Sequence, residues 1–176
     1  MADDDAVTTS PADDGALTTS IGQAAMLLHG GDREEARNRF HALWERLGAD
    51  GDPLHRCTLA HYMADAQDDP DAELAWDLRA LTAAEALGEE LGEVPGEAPD
   101  GTRPARRDTA AALRALYPSL HLNLAADYLG LRRPHDARVH LDRARAASAA
   151  LGGDGYDAGV RAAIDRLDRR LRESGA

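Results

Sequence analysis

Apolar residues recur every three or four positions through most of the chain, the period of a helix with one buried face. A first such helix is predicted from about Ala16 to His29, with Ile21, Ala24, Ala25, Leu27 and Leu28 on its apolar side and Gly30-Gly31 to break it. Asp32 and Glu35 are spaced like a capping box, and the following pattern buries Ala36, Phe40, Leu43, Trp44 and Leu47 before Gly48. A second pair opens at Asp52-Pro53, a capping residue followed by proline at the first helical position. Its first helix runs from Leu54 to about Ala66 with Leu59, Ala60 and Met63 facing inward. Asp69-Pro70 repeats the start signal, and Ala72 and Trp76 follow on the inner face. A third pair spans Tyr117–Ala147, with Leu124, Ala125 and Tyr128 on one helix and Ala137 and Leu141 on the other. Gly130 is expected to close the first of these through a left-handed backbone, and Pro134 to open the second. A last helix after Gly152-Gly153 places Tyr156, Val160, Ile164, Leu167 and Leu171 on one side, with Arg and Asp on the other.

The three pairs repeat at a measurable interval. Ala24 to Ala60 and Ala36 to Ala72 are both 36 residues, and Ala60 to Ala125 and Ala72 to Ala137 are both 65. About 30 extra residues therefore fall between the second and third pairs. Ala80, Ala83, Ala84 and Leu87 extend the helix that follows Pro70. Gly88–Asp108, rich in Gly, Pro and Glu, is expected to be a mobile loop dispensable for folding. The helical pattern resumes at Asp108 and meets Pro118, where a helix either ends or kinks. Residues 1–15 are acidic and without period, and are expected to form a disordered tail; residues 16–176, with the insertion at 88–108, form one domain. The expected fold is all-α: a helical-hairpin solenoid of about three repeats with a C-terminal capping helix.

Small residues where helices approach and large ones beside them, at an interval near 34, resemble the tetratricopeptide repeat (TPR). Its W-x2-L-G-x2-Y and A-x3-F elements correspond here to Leu124, Ala125 and Tyr128, then Ala137 and Leu141, with Ala72 and Trp76 in the second repeat. The signature Trp is replaced at His121, the closing proline is missing throughout, and Arg79 stands where a small residue is usual. The blocks DPLHRCTLAHYMADAQDDP, ELAWDLRAL and YPSLHLNLAADY are similar to the small TPR proteins of high-GC actinobacteria. The resemblance implies an adaptor that holds a peptide or protein partner in the groove lined by the first helix of each pair. The carboxylate clamp of chaperone-binding members needs paired Lys or Arg and Asn; only Asn123 corresponds, so chaperone tails are not the expected ligand.

Charge narrows the choice further. The net charge is −12, with 20 Arg, no Lys and 32 acidic residues, which opposes general nucleic-acid binding. The distribution is uneven: residues 1–100 carry 6 Arg against 23 acids, residues 101–176 carry 14 Arg against 9. Such polarity can orient a partner or a second copy of the chain. No apolar run approaches the ~18 residues of a membrane span, and the acidic start lacks the layout of a signal peptide. A cytoplasmic location, with no membrane and no nucleic-acid partner, is expected. The single cysteine, Cys57, precludes an internal disulfide.

Projecting the repeat register onto the first helices gives the candidate groove. Cys57, His61 and Asp65 form a stripe at four-residue spacing, joined by Ser119, Leu122 and Asn123 from the third repeat and by His29 across the groove. The stripe admits recognition of a polar ligand, a metal site built on Cys57 and His61, or a Cys-His nucleophile pair. Without a CxxC or HExxH pattern the metal reading lacks a second ligand pair, and the nucleophile reading lacks an oxyanion hole; neither a cofactor nor a catalytic group is expected. His55 and His121 are expected to pack between helices. The leading expectation is a non-catalytic scaffold for a protein or peptide. A small-molecule binder with the 88–108 insertion as lid is the alternative, and an enzyme using Cys57, His61 and Asp65 is third; homo-oligomers fit any of these.

Overall fold

A computed structural model describes residues 11–92, 104–151 and 155–174. Its regular elements, among these residues, are all α-helices: α1 (Pro11–His29), α2 (Arg33–Leu47), α3 (Pro53–Asp65), α4 (Pro70–Leu91), α5 (Pro104–Gly130), α6 (Pro134–Ala149) and α7 (Gly155–Glu173). None of them is long and apolar enough to cross a membrane.

The starts and stops follow local chemistry. Asp32 accepts a hydrogen bond from the Glu35 amide at 3.4 Å, and Asp52 one from the His55 amide at 2.8 Å, each satisfying a donor that the first helical turn leaves orphaned. α3, α4 and α6 carry proline in their first turn, where its missing N–H costs nothing. Asp69 makes no side-chain cap bond, so α4 relies on Pro70. α1 closes with Gly31 at φ +91°, the Asp32 amide donating to the Leu27 carbonyl and the Gly31 amide to Leu28. That is a Schellman closure.

Several boundaries differ from the sequence expectation. Pro11–Gly15, expected in the tail, belongs to α1; residues 1–10 lie outside the described set. α4 continues through Gly88 to Leu91, and α5 begins at Pro104, so both ends of the expected 88–108 loop are helical and residues 93–103 lie outside the described set. Gly88 lies within α4 rather than in a turn, and a Cβ there would make only ordinary contact with the Tyr117 hydroxyl at 3.5 Å; that hydroxyl donates to the Ala84 carbonyl at 3.3 Å. α5 runs unbroken through the buried Pro118. It is not ended by a left-handed Gly130. Arg132 takes that role at φ +57°, with the Arg133 amide donating to Tyr128 and the Arg132 amide to Leu129.

Helix packing is sequential. The backbones of chain-neighbouring helices pack closely, as do those of α1 with α3, α3 with α5 and α5 with α7, while α2 meets α4 through the side chains of His41, Trp44 and Trp76. Three apolar clusters follow the same order. Leu17, Ile21, Ala36, Phe40, Leu59 and Met63 join α1–α3; Cys57, Ala60, Ala80, Ala84, Leu113 and Leu120 join α3–α5; Leu74, Leu124, Leu141, Ile164, Leu167 and Leu171 join α4–α7. Trp44 and Trp76, edge to face with ring centroids 5.1 Å apart, pack against both of the first two clusters. The core is thus continuous, and the junction of α3, α4 and α5 lies in its middle.

Candidate binding site

At that junction each helix contributes two polar residues one turn apart: His61 and Asp65 on α3, Glu73 and Asp77 on α4, Asn123 and Asp127 on α5. Side chains four residues apart share a helix face, so three such pairs can meet only where the three faces converge. Asn123 Nδ2 lies 3.3 Å from His61 Nδ1, and the same ring nitrogen lies 3.7 Å from Asp77 Oδ1. In the neutral tautomer that leaves it bare, that nitrogen accepts from the Asn123 amide; once protonated it faces Asp77 as an ion-pair partner. Asp77 and Asp127 are buried, at 1% and 8% exposure, whereas Asp65, Glu73, His61 and Asn123 are half-buried and form the outer part of the cluster.

Crowded carboxyls in a low-dielectric setting hold protons. Burial pushes Asp127 up to about 8, helped by the charges of Asp77 and Glu73, a hydrogen bond with the Asp77 carboxyl, and Asp65. At neutral pH Asp127 is therefore chiefly protonated. Burial also raises Asp65 and Glu73 above the usual carboxylate range; Asp77 adds to both, while His61 opposes the shift in Asp65. Burial works against a charge on His61, yet the nearby Asp77 carboxyl, 3.7 Å away, and the charge of Asp65 prevail and raise it.

Of the residues expected in the groove, the structure brings His61, Asp65 and Asn123 together. Cys57 does not line it. It is fully buried among Ala60, Ala80, Ala84 and Leu120, and burial, then the charge on Asp77, pushes its thiol up to about 12. Because the thiolate is the nucleophile, a thiol held protonated in the core does not suit the Cys-His nucleophile pair weighed as an alternative. Leu122 packs half-buried against the α4–α7 cluster, Ser119 is half-buried one turn earlier on α5, and His29 is exposed at the end of α1. Among the described residues no three His, Cys, Asp or Glu side chains are grouped to hold a metal ion.

Asp77 and Asp127 were not among the expected site residues, though the pattern held a signal. Asp77 occupies the apolar stripe of Leu74 and Leu81, and Asp127 that of Leu120 and Leu124. A carboxyl on a core stripe is buried unless the helix turns. His121 does pack between helices as expected, its Nδ1 3.1 Å from that of His140. Burial lowers it to about 4, with His140 and Arg143 adding to the effect. His55 is half-buried, 3.0 Å from the Thr18 hydroxyl and 2.9 Å from Asp52. In comparison with known proteins, the chain matches no family model, no curated protein and no solved structure.

Proposed function

We propose that the chain is a TPR-like array of three helical hairpins closed by α7, and that it acts as a non-catalytic scaffold for a protein or peptide partner. The 36-residue interval supports the repeat, as does the backbone packing, in which the first helices α1, α3 and α5 approach one another in succession while α2 and α4 meet only through side chains. The observation that carries the binding reading is the convergence of polar pairs from α3, α4 and α5 on one half-buried cluster. Polar groups set into an apolar surface orient a ligand.

The test is capture of a partner from the native host, followed by titration of the purified pair. His61→Ala and Asn123→Ala are each expected to weaken binding about tenfold, as loss of a buried polar contact does, while Arg169→Ala on α7 leaves it unchanged. Both groove variants must retain helical circular dichroism. Wild-type affinity in both places the interface elsewhere.

A small-molecule reading is favoured by a second feature, a cleft of about 450 Å³ between the end of α4 and α5, lined by Glu85, Gly88, Leu113, Arg114 and Tyr117. Native mass spectrometry of the purified chain checks it; a chain carrying no small molecule leaves the peptide reading alone.

A further inference from the structure

We propose that the groove between α3 and α4 at Arg56 and Arg79 binds the carboxylate of a small organic acid with an apolar body. The groove shares no lining residue with the α3–α4–α5 cluster, and it does not rest on that cluster holding a partner.

Two guanidinium groups are fixed here before any ligand arrives. Arg56 lies over the face of Trp44 with its Cζ 4.4 Å from the ring centroid, and Arg79 lies over Trp76 at 4.6 Å. The two indoles meet edge to face at 5.1 Å, which holds one stack against the other across α2 and α4. Stacking engages the face of a guanidinium and leaves its edge, where the N–H donors lie, open to a hydrogen-bond acceptor. Each group donates to one backbone carbonyl, Arg56 to Gly48 and Arg79 to Ala75, the latter at 3.2 Å. Neither bonds further among the described residues.

Their charge is left unneutralised where acids abound. Residues 1–100 hold 23 acids against 6 Arg, and within that stretch Arg33, Arg37 and Arg39 pair with Asp68 or Glu35. Arg56 and Arg79 pair with no carboxylate among the described residues, although Arg56 is half-buried. Arg79 also stands where the tetratricopeptide pattern has a small residue. A positioned guanidinium with spare donors and no carboxylate of its own suits one brought by a ligand.

The space beside them decides the rest of the ligand. Arg56, Leu78, Arg79, Thr82, Ala83 and Ala86 line a groove of about 320 Å³, the size of a site for a small molecule rather than for an extended peptide. Leu78, a large apolar side chain left 39% exposed, forms its apolar wall with Ala83 and Ala86. The Thr82 hydroxyl donates to the Leu78 carbonyl at 2.9 Å and keeps its lone pairs for a ligand donor. Cations beside an apolar wall match an amphipathic anion, whose carboxylate takes paired N–H donors while its body covers Leu78. The wider field favours a single negative charge. Glu85 and Glu89 line the neighbouring cleft and the chain carries −12, so a phosphate dianion meets more repulsion than a carboxylate.

The experiment is NMR titration of the full chain with 3-phenylpropanoate, read at the indole N–H signals of Trp44 and Trp76, the two tryptophans of the sequence. The neutral control is 3-phenylpropanamide, acetate is the control without an apolar body, and inorganic phosphate is the dianion. Saturable shifts of the indole signals are expected with 3-phenylpropanoate. Its affinity should exceed that of the amide at least about tenfold and that of acetate at least about fivefold, and should fall as salt is raised. Arg79→Gln, at an exposed position of α4, is expected to keep the helical circular dichroism and to weaken binding at least about fivefold. Arg56→Gln should act in the same direction, while Arg46→Gln, exposed on α2, leaves binding unchanged. His61→Ala should leave it unchanged too, which separates this outcome from that of the scaffold reading. No saturation, an amide bound as tightly as the acid, or wild-type affinity in Arg79→Gln overturns the proposal. Phosphate held more tightly than 3-phenylpropanoate and lost with Arg79→Gln overturns it in favour of a phosphoryl site.

Discussion

Asp127 burdens the fold at the same position where it equips the site. Its folded pKa, pushed up to about 8 by burial and then by Asp77 and Glu73, stands above the unfolded value of about 3.9. A group shifted this way contributes stability that is fully present below about pH 4 and is lost as pH rises through about 8. Asp65, Glu73 and His61 are raised too, so they act in the same direction. Asp127→Asn removes the largest of these protonations and supplies an amide donor for Asp77. The variant should therefore be more stable than wild type at about pH 8.5, by the ~1–3 kcal/mol typical of an unsatisfied buried group, with a correspondingly higher melting temperature, and the two should converge near about pH 5. Thermal melts across this range check it; parallel curves would mean that Asp127 does not titrate in the folded state. The residue was hard to select from sequence because single acids on helices are usually solvated. Only its place on the stripe of Leu120 and Leu124 distinguished it, and the groove projection looked past that stripe to the positions beside it.

At the level of helices, the legible parts were those with strong local chemistry. Asp52-Pro53 and Asp32 mark starts because their side chains cap the next turn, and Gly30-Gly31 marks a stop because Gly31 takes a left-handed φ. The 88–108 boundaries were misleading for a tertiary reason. Gly88, a breaker by propensity, is carried inside α4, whose neighbours Ala84 and Leu87 are buried against α5, and Pro118 is accommodated inside α5. Likewise Arg132, not Gly130, adopts the left-handed closure of α5, which composition alone would assign to glycine. The pairing of α5 with α6 was well marked by alanine. Ala125 and Ala137 are 0% and 1% exposed and share the α4–α7 cluster, so a larger side chain has no space to enter. Ala125→Leu should cost about 1–3 kcal/mol through overpacking, which lowers the melting temperature by roughly 2–4 °C per kcal/mol in a domain of this size. An unchanged melt would show that α5 and α6 are not in close contact at this register.

Over the whole molecule, sequential packing separates the two charge domains seen in the sequence. Helices α1–α4 fall within the acidic first 100 residues, and α5–α7 within the Arg-rich remainder. Part of that Arg excess is internal. Asp168 on α7, 6% exposed, pairs with Arg138 and Arg145 of α6 at 2.8 and 3.0 Å and with Arg172 of its own helix at 2.6 Å. Burial resists its ionisation, but the hydrogen bond and charge of Arg145, with Arg138 and Arg172, hold its carboxyl below the usual range. α7 is thus fastened to α6 by charge and to the α4–α7 cluster by Ile164, Leu167 and Leu171, and among the described residues its backbone lies close to α5 and α6 and to no earlier helix. In an array whose elements meet only near neighbours, stability is close to a sum of local and neighbour contributions, and damage at one end should fade along the chain. A chain stopped after Leu151 tests this. Hydrogen exchange should quicken in α5 and α6, whose shared cluster loses Ile164, Leu167 and Leu171, while α1 and α2, held by Ile21, Phe40 and Leu59 in a separate cluster, keep their protection. Equal loss of protection in all the remaining helices would show that the continuous core makes the molecule one cooperative unit despite its sequential packing.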